Sequence, residues 1–425
     1  MLAVQPCAGL RPCASLVPAR TSSSYRGSNA SSKAAARRHS LPSRQARSLG
    51  VTCSLNNSTG TAAVKPAKLD DRTTLRLALP SKGRMAEDTL QLLKARSRLL
   101  RCPDCQLSVV KPNPRQYVAR ISQLPDLEVW FQRATDVVRK LMYGDVDLGI
   151  VGLDMLAEIG NDDPDVVVLH DALDFGQCHL ALGVPTGGRF ADVNTLAQLR
   201  AMPWSEQAPL RVVTGYQNIA RKYFAEQGFE HVVLLSADGA LEAAPAMGSA
   251  DIILDLVSTG VTLRENNLKQ LEGAVIMQSQ GALVANRRAL LERPGLLEIV
   301  HELLERLEAH LTANAYYSVI ANMRGESALE VSERLLQDPE LAGLSGPTVA
   351  RVYTLGPDGK AQSHLYAATI CVPKKRLYPA VKQIRKIGGS GVLVQPMTYI
   401  FDEEPARWRS LLDNLGVASG SLDLS

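Results

Sequence analysis

The chain has 425 residues, 45% of them apolar, and carries 47 Lys and Arg against 43 Asp and Glu. This composition excludes disordered, collagen-like and disulfide-scaffold proteins and leaves room for two or three domains. Beyond a basic leader, 37 positive and 43 negative side chains remain, a net charge of −6, which argues against nucleic-acid binding. No run of eighteen uncharged apolar residues occurs, so the sequence predicts no membrane span.

Residues 1–69 form that leader, which contains no Asp or Glu and is rich in Ser, Ala and Arg. It lacks the continuous apolar core of a secretory signal, and its composition predicts a chloroplast transit peptide and a stromal protein. A disordered cytosolic tail is the alternative.

The segment Cys102-Pro103-Asp104-Cys105 contains two closely spaced cysteines. It is interpreted as a surface loop, with a light-dependent thiol switch as the alternative.

From Leu75 onward, short apolar runs alternate with amphipathic stretches, which predicts an α/β fold with mostly parallel sheets. Strands are predicted at residues 75–79, 128–131, 147–151, 179–184, 210–214 and 232–235. Helices are expected after the first two strands and over residues 218–227. These elements predict two α/β lobes, and a long amphipathic helix over residues 294–313 is expected to lead the chain away from them.

The last hundred residues alternate in the order β-α-β-β-α-β, which is ferredoxin-like. The predicted strands are 317–321, 348–353, 365–372 and 391–395, and the predicted helices are 328–336 and 377–386. Gly356-Pro357-Asp358-Gly359 has the turn chemistry of a hairpin between the two central strands. A polar tail with one short helix near Trp408 is expected to end the chain.

The strongest local signal lies in residues 251–263, where an apolar strand runs to Asp255 and hydroxyl side chains then surround Gly260. Hydroxyls and free backbone amides in such a loop bind phosphate, and a carboxylate just before the loop reaches sugar hydroxyls. Glu242, one predicted turn upstream, is a second carboxylate that converges there. The segment therefore suits a ribose 5-phosphate, while a simple Ser/Thr helix cap is the alternative interpretation. It is not a P-loop, because the Gly-Lys-Ser/Thr ending is missing.

These residues resemble the signature of the ATP phosphoribosyltransferases, which open histidine biosynthesis. The resemblance extends over residues 75–84, 145–154, 173–178 and the C-terminal third, nearly the whole chain beyond Leu75. It implies two lobes like those of periplasmic binding proteins, facing each other across a cleft that holds ATP and 5-phosphoribosyl 1-pyrophosphate. N1 of the adenine would attack C1 of the ribose, pyrophosphate would leave, and phosphoribosyl-ATP would form.

The resemblance also implies roles for individual residues. Phosphoribosyl pyrophosphate would be bound by Glu242, Asp255, Val257, Ser258, Thr259, Gly260, Val261 and Thr262. ATP would be bound by Lys82, Gly83, Arg84, Arg115 and Asp154. Arg133, Lys82 and Asp255 would be catalytic, with Arg133 stabilising charge in the transition state, and Glu242 and Asp255 would hold magnesium.

Bland alternatives accompany several of these assignments. Arg133 would instead pair with Asp136 to fix a helix start, and Asp154 would cap a helix. Arg120 is a weaker candidate than the cations named above. His170 and His179 are expected to pack or face solvent, because the reaction needs no histidine ligand.

The C-terminal domain resembles the regulatory domain of the long-form enzymes, in which histidine binds and inhibits at a distance. The histidine contacts would fall at Met323, Thr348, Cys371 and Gly391, although Met323 stands where an acidic residue is familiar. A homo-oligomer, dimer or hexamer, is implied, and a non-catalytic bilobal sensor is the alternative function. The expected boundaries are residues 1–69 for the leader, 70–176 with 287–315 for lobe I, 177–286 for lobe II, 316–400 for the regulatory domain and 401–425 for the tail.

Overall fold

The computed structural model describes residues 69–418, apart from 95–104, 114, 161, 238 and 358. The predicted transit segment, except Leu69, lies outside the described residues, and so do Cys102 of the cysteine pair and Asp358 of the hairpin turn. Among the helices of this part of the chain, none combines the length and apolar character needed to cross a bilayer.

Lobe I is built on a seven-stranded sheet with the order β2-β3-β4-β1-β5-β12-β6. Its strands are β1 (Leu75–Pro80), β2 (Val109–Val110), β3 (Val118–Ile121), β4 (Leu124–Gln132), β5 (Leu148–Gly152), β6 (Val166–His170) and β12 (Gly281–Asn286). Its helices are α1 (Gly83–Leu93), α2 (Ala134–Tyr143), α3 (Leu153–Met155) with a following π turn (Leu156–Gly160), α8 (Arg287–Glu292) and α9 (Leu296–Ala315). β1 runs parallel to both β4 and β5, so the carboxyl ends of these three strands share one edge.

Lobe II is built on a five-stranded sheet with the order β11-β7-β10-β8-β9. Its strands are β7 (Cys178–Pro185), β8 (Leu210–Thr214), β9 (Val232–Ser236), β10 (Ile252–Val257) and β11 (Leu268–Ser279). Its helices are α4 (Leu196–Arg200), α5 (Gln217–Glu226), α6 (Ala243–Ala246) and α7 (Val261–Glu265). β8, β9 and β10 are parallel, and β7 is antiparallel to β10 and β11. The predicted α/β class with two lobes, each built on its own sheet, is confirmed.

The boundary expected at residue 286 differs from the structure. β12 belongs to lobe I, where it pairs antiparallel with β5 and β6. The chain therefore returns to lobe I after Ser279, seven residues before the expected boundary at residue 286. A buried apolar run has the same appearance in either sheet, and only its pairing partners decide which sheet it joins.

The C-terminal domain has the predicted ferredoxin-like order. It contains β13 (Tyr316–Arg324), α10 (Ala328–Leu336), β14 (Thr348–Leu355), β15 (Ala361–Pro373), α11 (Leu377–Lys386) and β16 (Gly389–Pro396). The four strands form an antiparallel sheet in the order β14-β15-β13-β16. Val319, Ala321 and Ile370 project from the sheet into the core, where they meet Val331 of α10 and Ile384 of α11.

The predicted short helix near Trp408 is present and packs on lobe I. Helix α12 (Trp408–Leu415) returns to lobe I and buries Trp408, Leu411 and Leu412 in the same core as α9. These positions recur every three or four residues, which is the spacing of an amphipathic helix that packs on a core. Helix α9 likewise packs on lobe I before it reaches the regulatory domain, so both ends of that domain are attached to lobe I.

A buried ion cluster fixes the start of the described chain to lobe I. The side chain of Asp147 is fully buried and accepts hydrogen bonds from Arg72 Nη1 and Nη2, at 2.7 and 2.8 Å, and from the backbone N–H of Arg76 at 2.8 Å. Arg293 Nε lies 2.7 Å from the other side of the same carboxylate, and Arg293 also pairs with Asp70. The cluster thus joins the segment before β1 to the start of α9.

Candidate active site

A cleft between the two lobes receives the carboxyl ends of strands from both sheets, the usual place for ligands in α/β folds. The cleft contains a cavity of about 560 Å³, which is within the range of small-molecule sites. Pro80, Arg84 and Asp154 line it from lobe I, and Tyr216 and Ser258 line it from lobe II. Of the residues predicted from the sequence, Arg84 and Asp154 of lobe I and Ser258 of lobe II line this cavity.

The loop after β10 has the form expected of an anion-binding loop. Gly260 has a φ of +69° and precedes the first residue of α7, a conformation that favours glycine. Ser258, Thr259, Val261 and Thr262 are exposed, so their amides and the three hydroxyls are open to a ligand. The neighbouring side chains of the described residues leave this loop exposed. The geometry favours the phosphate interpretation over that of a plain helix cap.

Arg264 is a cation beside this loop that the sequence reasoning missed. Its Nη1 donates to the carbonyl oxygen of Thr259 at 3.3 Å, and a Cβ added at Gly260 would lie 3.2 Å from the same nitrogen. A second cavity of about 440 Å³ borders the loop and is lined by Arg264, Lys269 and His179. Arg264 could have been found from the sequence, because it lies in the helical turn directly after the loop, at a spacing that brings its side chain back over the loop.

Asp255 and Glu242 provide the carboxylates of lobe II. The pKa of Asp255 is raised to about 6, mainly by burial and with a contribution from the negative charge of Glu242, while the backbone N–H of Leu256, which donates at 2.7 Å, opposes the shift. Among the described residues, no group of three His, Cys, Asp or Glu side chains is arranged to hold a metal ion. Two carboxylates that disfavour each other's charge nevertheless suit a cation that completes its shell with water and substrate oxygens.

Asp154 is placed in the cleft, but it does not cap its own helix. Only 6% of the residue is exposed, and its two carboxylate oxygens accept from Tyr216 Oη at 2.8 Å and from Ser279 Oγ at 2.6 Å. Burial, followed by the charge of Asp154, raises the pKa of Tyr216 far above its ordinary value. Because Tyr216 follows β8, this hydrogen bond joins the two lobes at the base of the cleft. Sequence reasoning missed Tyr216.

Three cations directly follow the carboxyl ends of β1 and β4 in lobe I. Lys82 and Arg84 follow β1, Arg133 follows β4, and all three are exposed. Arg115 is exposed in the loop that precedes β3. This loop is bonded to β4, because the carbonyl of Tyr117 accepts from the N–H of Phe131. Of these, Arg84 lines the cavity itself, and Gly83 between the first two has a φ of +75°.

The alternatives for the neighbouring residues resolve differently. Asp136 forms its ion pair with Arg139, at 3.7 Å, so the structure does not contain the alternative pairing of Arg133 with Asp136. Arg120 lies opposite Glu128 in the middle of the β3–β4 ladder and lines a separate cavity with Thr74. It is therefore away from the cleft.

The two histidines behave largely as expected. His170 is buried, accepts from the N–H of Ala172 at 3.2 Å, and has its pKa lowered to about 4 by that burial. It is neutral at physiological pH and fills space. His179 is half-buried beside the phosphate loop, with Nε2 2.9 Å from Gln270 Oε1.

The four expected histidine contacts are not brought together in one open pocket. Met323 is fully buried in the domain core, because it shares the inward face of β13 with Val319 and Ala321, so its assignment as a ligand contact is wrong for this structure. Thr348 and Cys371 share the opposite, outer face of the sheet. Gly391, in the left-handed conformation on β16, lies beside Asn322.

A cavity does open next to Met323, at the end of β13. It has a volume of about 850 Å³ and is lined by charged side chains, among them Arg324, Glu326, Glu330 and His364. Two of the lining side chains, Arg334 and Glu330, form an ion pair with each other. The cavity lies beside the predicted position, while the side chain of Met323 itself points inward.

Two family descriptions match the sequence: ATP phosphoribosyltransferase over residues 133–309, and the C-terminal domain of that family over residues 313–399. The relative named ATP phosphoribosyltransferase 1, chloroplastic, from Arabidopsis thaliana is 57% identical over 362 residues, 85% of this chain and 86% of the relative. The Arabidopsis protein named ATP phosphoribosyltransferase 2, chloroplastic, is 58% identical over 347 residues, 81% of this chain and 82% of the relative. A solved ATP phosphoribosyl transferase complex from Thermotoga maritima is similar at 22% identity, with a TM-score of 0.42 over 55% of this chain and 99% of that chain.

Proposed function

The chain belongs to the ATP phosphoribosyltransferase family, and from that premise we propose how its own residues carry out the first step of histidine biosynthesis. The reaction joins ATP to 5-phosphoribosyl 1-pyrophosphate and releases pyrophosphate. It is a displacement at C1 of the ribose by N1 of the adenine, so it needs no covalent nucleophile from the protein. The protein must orient two polyanions and stabilise the charge that develops on the leaving group.

The exposed loop after β10 carries this proposal. Ser258, Thr259 and Thr262 bind the 5-phosphate with their hydroxyls, and the amides around Gly260 and Val261 add donors. The carbonyl of Thr259 is held by Arg264, which brings a positive charge to the same loop. Val257, the last residue of β10, is buried beneath the loop and keeps it at the mouth of the cleft.

Asp255 and Glu242 face the ribose from below the loop. Above pH 6 the carboxylate of Asp255 is ionised in the free protein and accepts hydrogen bonds from the ribose hydroxyls. The same two carboxylates would hold Mg²⁺, which when bound would offset the negative charge of the pyrophosphate. The rise in the Asp255 pKa beside Glu242 supports this assignment, because a cation relieves the repulsion between the two groups.

The cations of lobe I bind the other phosphates. Lys82, Arg84 and Arg115 take the triphosphate of ATP, and Arg133 stabilises charge on the departing pyrophosphate. Their position on one edge, facing a loop that holds the phosphate of the other substrate, supports a single cleft with two anion subsites. A non-catalytic sensor would not require this division of charge, and membership of a transferase family removes the reason to prefer it.

Regulation and location follow from the same premise. We propose that histidine binds the ferredoxin-like domain and lowers activity from there, and that the enzyme is a homo-oligomer, a dimer or hexamer. Both Arabidopsis relatives are chloroplastic by name, which agrees with the stromal address expected for residues 1–69. The chain is therefore assigned to the chloroplast.

Thr259→Ala tests the phosphate loop. We expect the KM for phosphoribosyl pyrophosphate to rise about 10- to 100-fold, because one hydrogen bond to a charged phosphate is lost, while the KM for ATP changes little. Magnesium-dependent release of pyrophosphate measures both constants. Thr73→Ala, an exposed threonine of lobe I, is the matched control. An unchanged KM for phosphoribosyl pyrophosphate in Thr259→Ala would remove the loop from the site.

A further inference from the structure

Lobe I caps a helix of lobe II. Helix α5 begins after Tyr216 and has no side-chain cap of its own, because the long tyrosine side chain cannot fold back onto the first amides of the helix. The missing acceptor comes from Glu158 of lobe I, whose carboxylate oxygens accept from the N–H of Asn218, at 3.0 and 3.1 Å, and from the N–H of Ile219 at 3.0 Å. Helix starts leave such N–H groups without partners, so a carboxylate there is strongly favoured.

The contact is reciprocal, and the carboxylate in it is buried. Asn218 Nδ2 donates back to the carbonyl oxygen of Glu158 at 2.9 Å, and only 4% of Glu158 is exposed. Among the described residues, no Lys, Arg or His forms an ion pair with Glu158, so its charge is balanced by the α5 donors. A buried carboxylate loses several kcal/mol of solvation unless such donors are held in place, which makes separation of the two lobes at this point costly.

The location of Glu158 gives this contact leverage on the cleft. It lies in the π turn that follows α3, one turn after Asp154, and π turns recur at functional sites. The chain crosses between the lobes twice, between β6 and β7 and between β11 and β12, and these two crossings form the hinge. The start of α3 is tied to the second crossing, since the N–H of Leu153 donates to the carbonyl of Gln280 at 3.0 Å. Glu158 therefore acts beside the hinge, where a small change in angle becomes a larger change in distance across the cleft.

We propose that Glu158 is a positioning residue that sets the spacing of the two lobes by capping α5 across their boundary. It does not touch substrate, and it does not line the cleft cavity. Its effect falls on ligands that must contact both lobes at once, because such ligands bind only the fraction of molecules whose lobes are correctly spaced. If that fraction falls to a tenth, the apparent affinity for a cleft-spanning ligand falls tenfold, while a ligand held by one lobe is unaffected.

This inference rests on the proposed function for the choice of ligands. Ribose 5-phosphate would contact the loop of lobe II alone, whereas phosphoribosyl-ATP would contact both lobes. For Glu158→Ala we expect the Kd of phosphoribosyl-ATP and both substrate KM values to rise about tenfold, with kcat and the Kd of ribose 5-phosphate within twofold of the parent. Glu158→Gln keeps one acceptor oxygen, so its Kd and KM values should lie between those of the parent and those of Glu158→Ala. It replaces Glu158→Ala if the alanine variant does not fold.

Thr195→Ala is the matched control. Thr195 caps α4 from within lobe II, so the variant loses a helix cap without loosening the lobes. It should leave every one of these constants within twofold. Equal weakening of ribose 5-phosphate and phosphoribosyl-ATP in Glu158→Ala, or weakening of neither, would overturn the positioning role. Failure of the parent protein to bind ribose 5-phosphate would instead count against the proposed function, and the KM shift of Glu158→Ala relative to Thr195→Ala would still decide the role of Glu158.

Discussion

Asp255→Asn is expected to lower kcat/KM for phosphoribosyl pyrophosphate about 100-fold or more and, at pH 8, to make the ligand-free protein more stable. Activity falls because the amide cannot supply the negative charge that faces the ribose and the metal ion. Stability rises because the ionised carboxylate is buried next to Glu242 and is therefore unfavourable in the folded state. A gain in stability with a loss of function is the expected mark of a site residue kept under strain.

The gain depends on pH in a defined direction. The folded pKa of Asp255, about 6, lies above the ordinary value of 3.8, so the folded state holds the proton more tightly than the unfolded state. The stabilising effect of that proton is complete below pH 4 and is lost as the pH rises to 6. The advantage of Asp255→Asn should therefore be absent below pH 4, grow between pH 4 and 6, and stay level above, at about 1 to 3 kcal/mol with allowance for partial exposure.

Thermal unfolding across this pH range, together with assays of pyrophosphate release, measures both effects. Asp192→Asn is the matched control, because Asp192 is an exposed aspartate of the same lobe. It should change neither activity nor the pH profile of stability. Asp255→Asn with no stability gain at pH 8 would contradict the assigned burial and repulsion, and full activity would take Asp255 out of the site.

The largest loss of stability is expected from Asp147→Ala, at about 3 to 5 kcal/mol. The change removes the buried carboxylate that Arg72 and Arg293 share and leaves them only the half-exposed Asp70, and breaking a buried ion cluster by removing one partner has a cost of this size. It also weakens the attachment of the segment before β1 to the start of α9, which then depends on the bonds of Arg293 to Asp70 and to the backbone of Arg72. Urea unfolding followed by tryptophan fluorescence measures the loss, since Trp130 and Trp408 both lie in lobe I.

Asp145→Ala is the comparison two residues away. Asp145 is mostly exposed and pairs with Lys140 at 3.5 Å, so its removal should change stability by less than about 1 kcal/mol. Equal effects of the two substitutions would show that burial of Asp147 contributes nothing to the cluster.

Local patterns were sufficient for the regulatory domain. The bounds of α10 and α11 agree with the prediction, because each helix has an amphipathic period and clear end signals, such as the Ser327 cap and the glycines after Ile387. The same holds for the loop around Gly260, where the residue types alone indicated the conformation. In both cases the interactions that decide the structure join residues close in sequence.

Predictions failed where a distant partner decides the outcome. The sheet that β12 joins is settled by pairing with β5, more than a hundred residues earlier. Asp154 was a plausible helix cap from its neighbours, yet its partner is Tyr216, 62 residues away. The inward direction of Met323 depends on which face of β13 the helices cover. A single sequence holds no direct record of such pairings.

Attachment of the regulatory domain to lobe I at both ends, through α9 and α12, restricts how that domain moves. A module joined by one linker tumbles in any direction, but one fastened at two points swings only about the line between them. Any such swing acts on lobe I, where both attachments are made. Feedback signals would then arrive on the cation-bearing side of the cleft first, and reach the sugar-binding side only by way of the hinge.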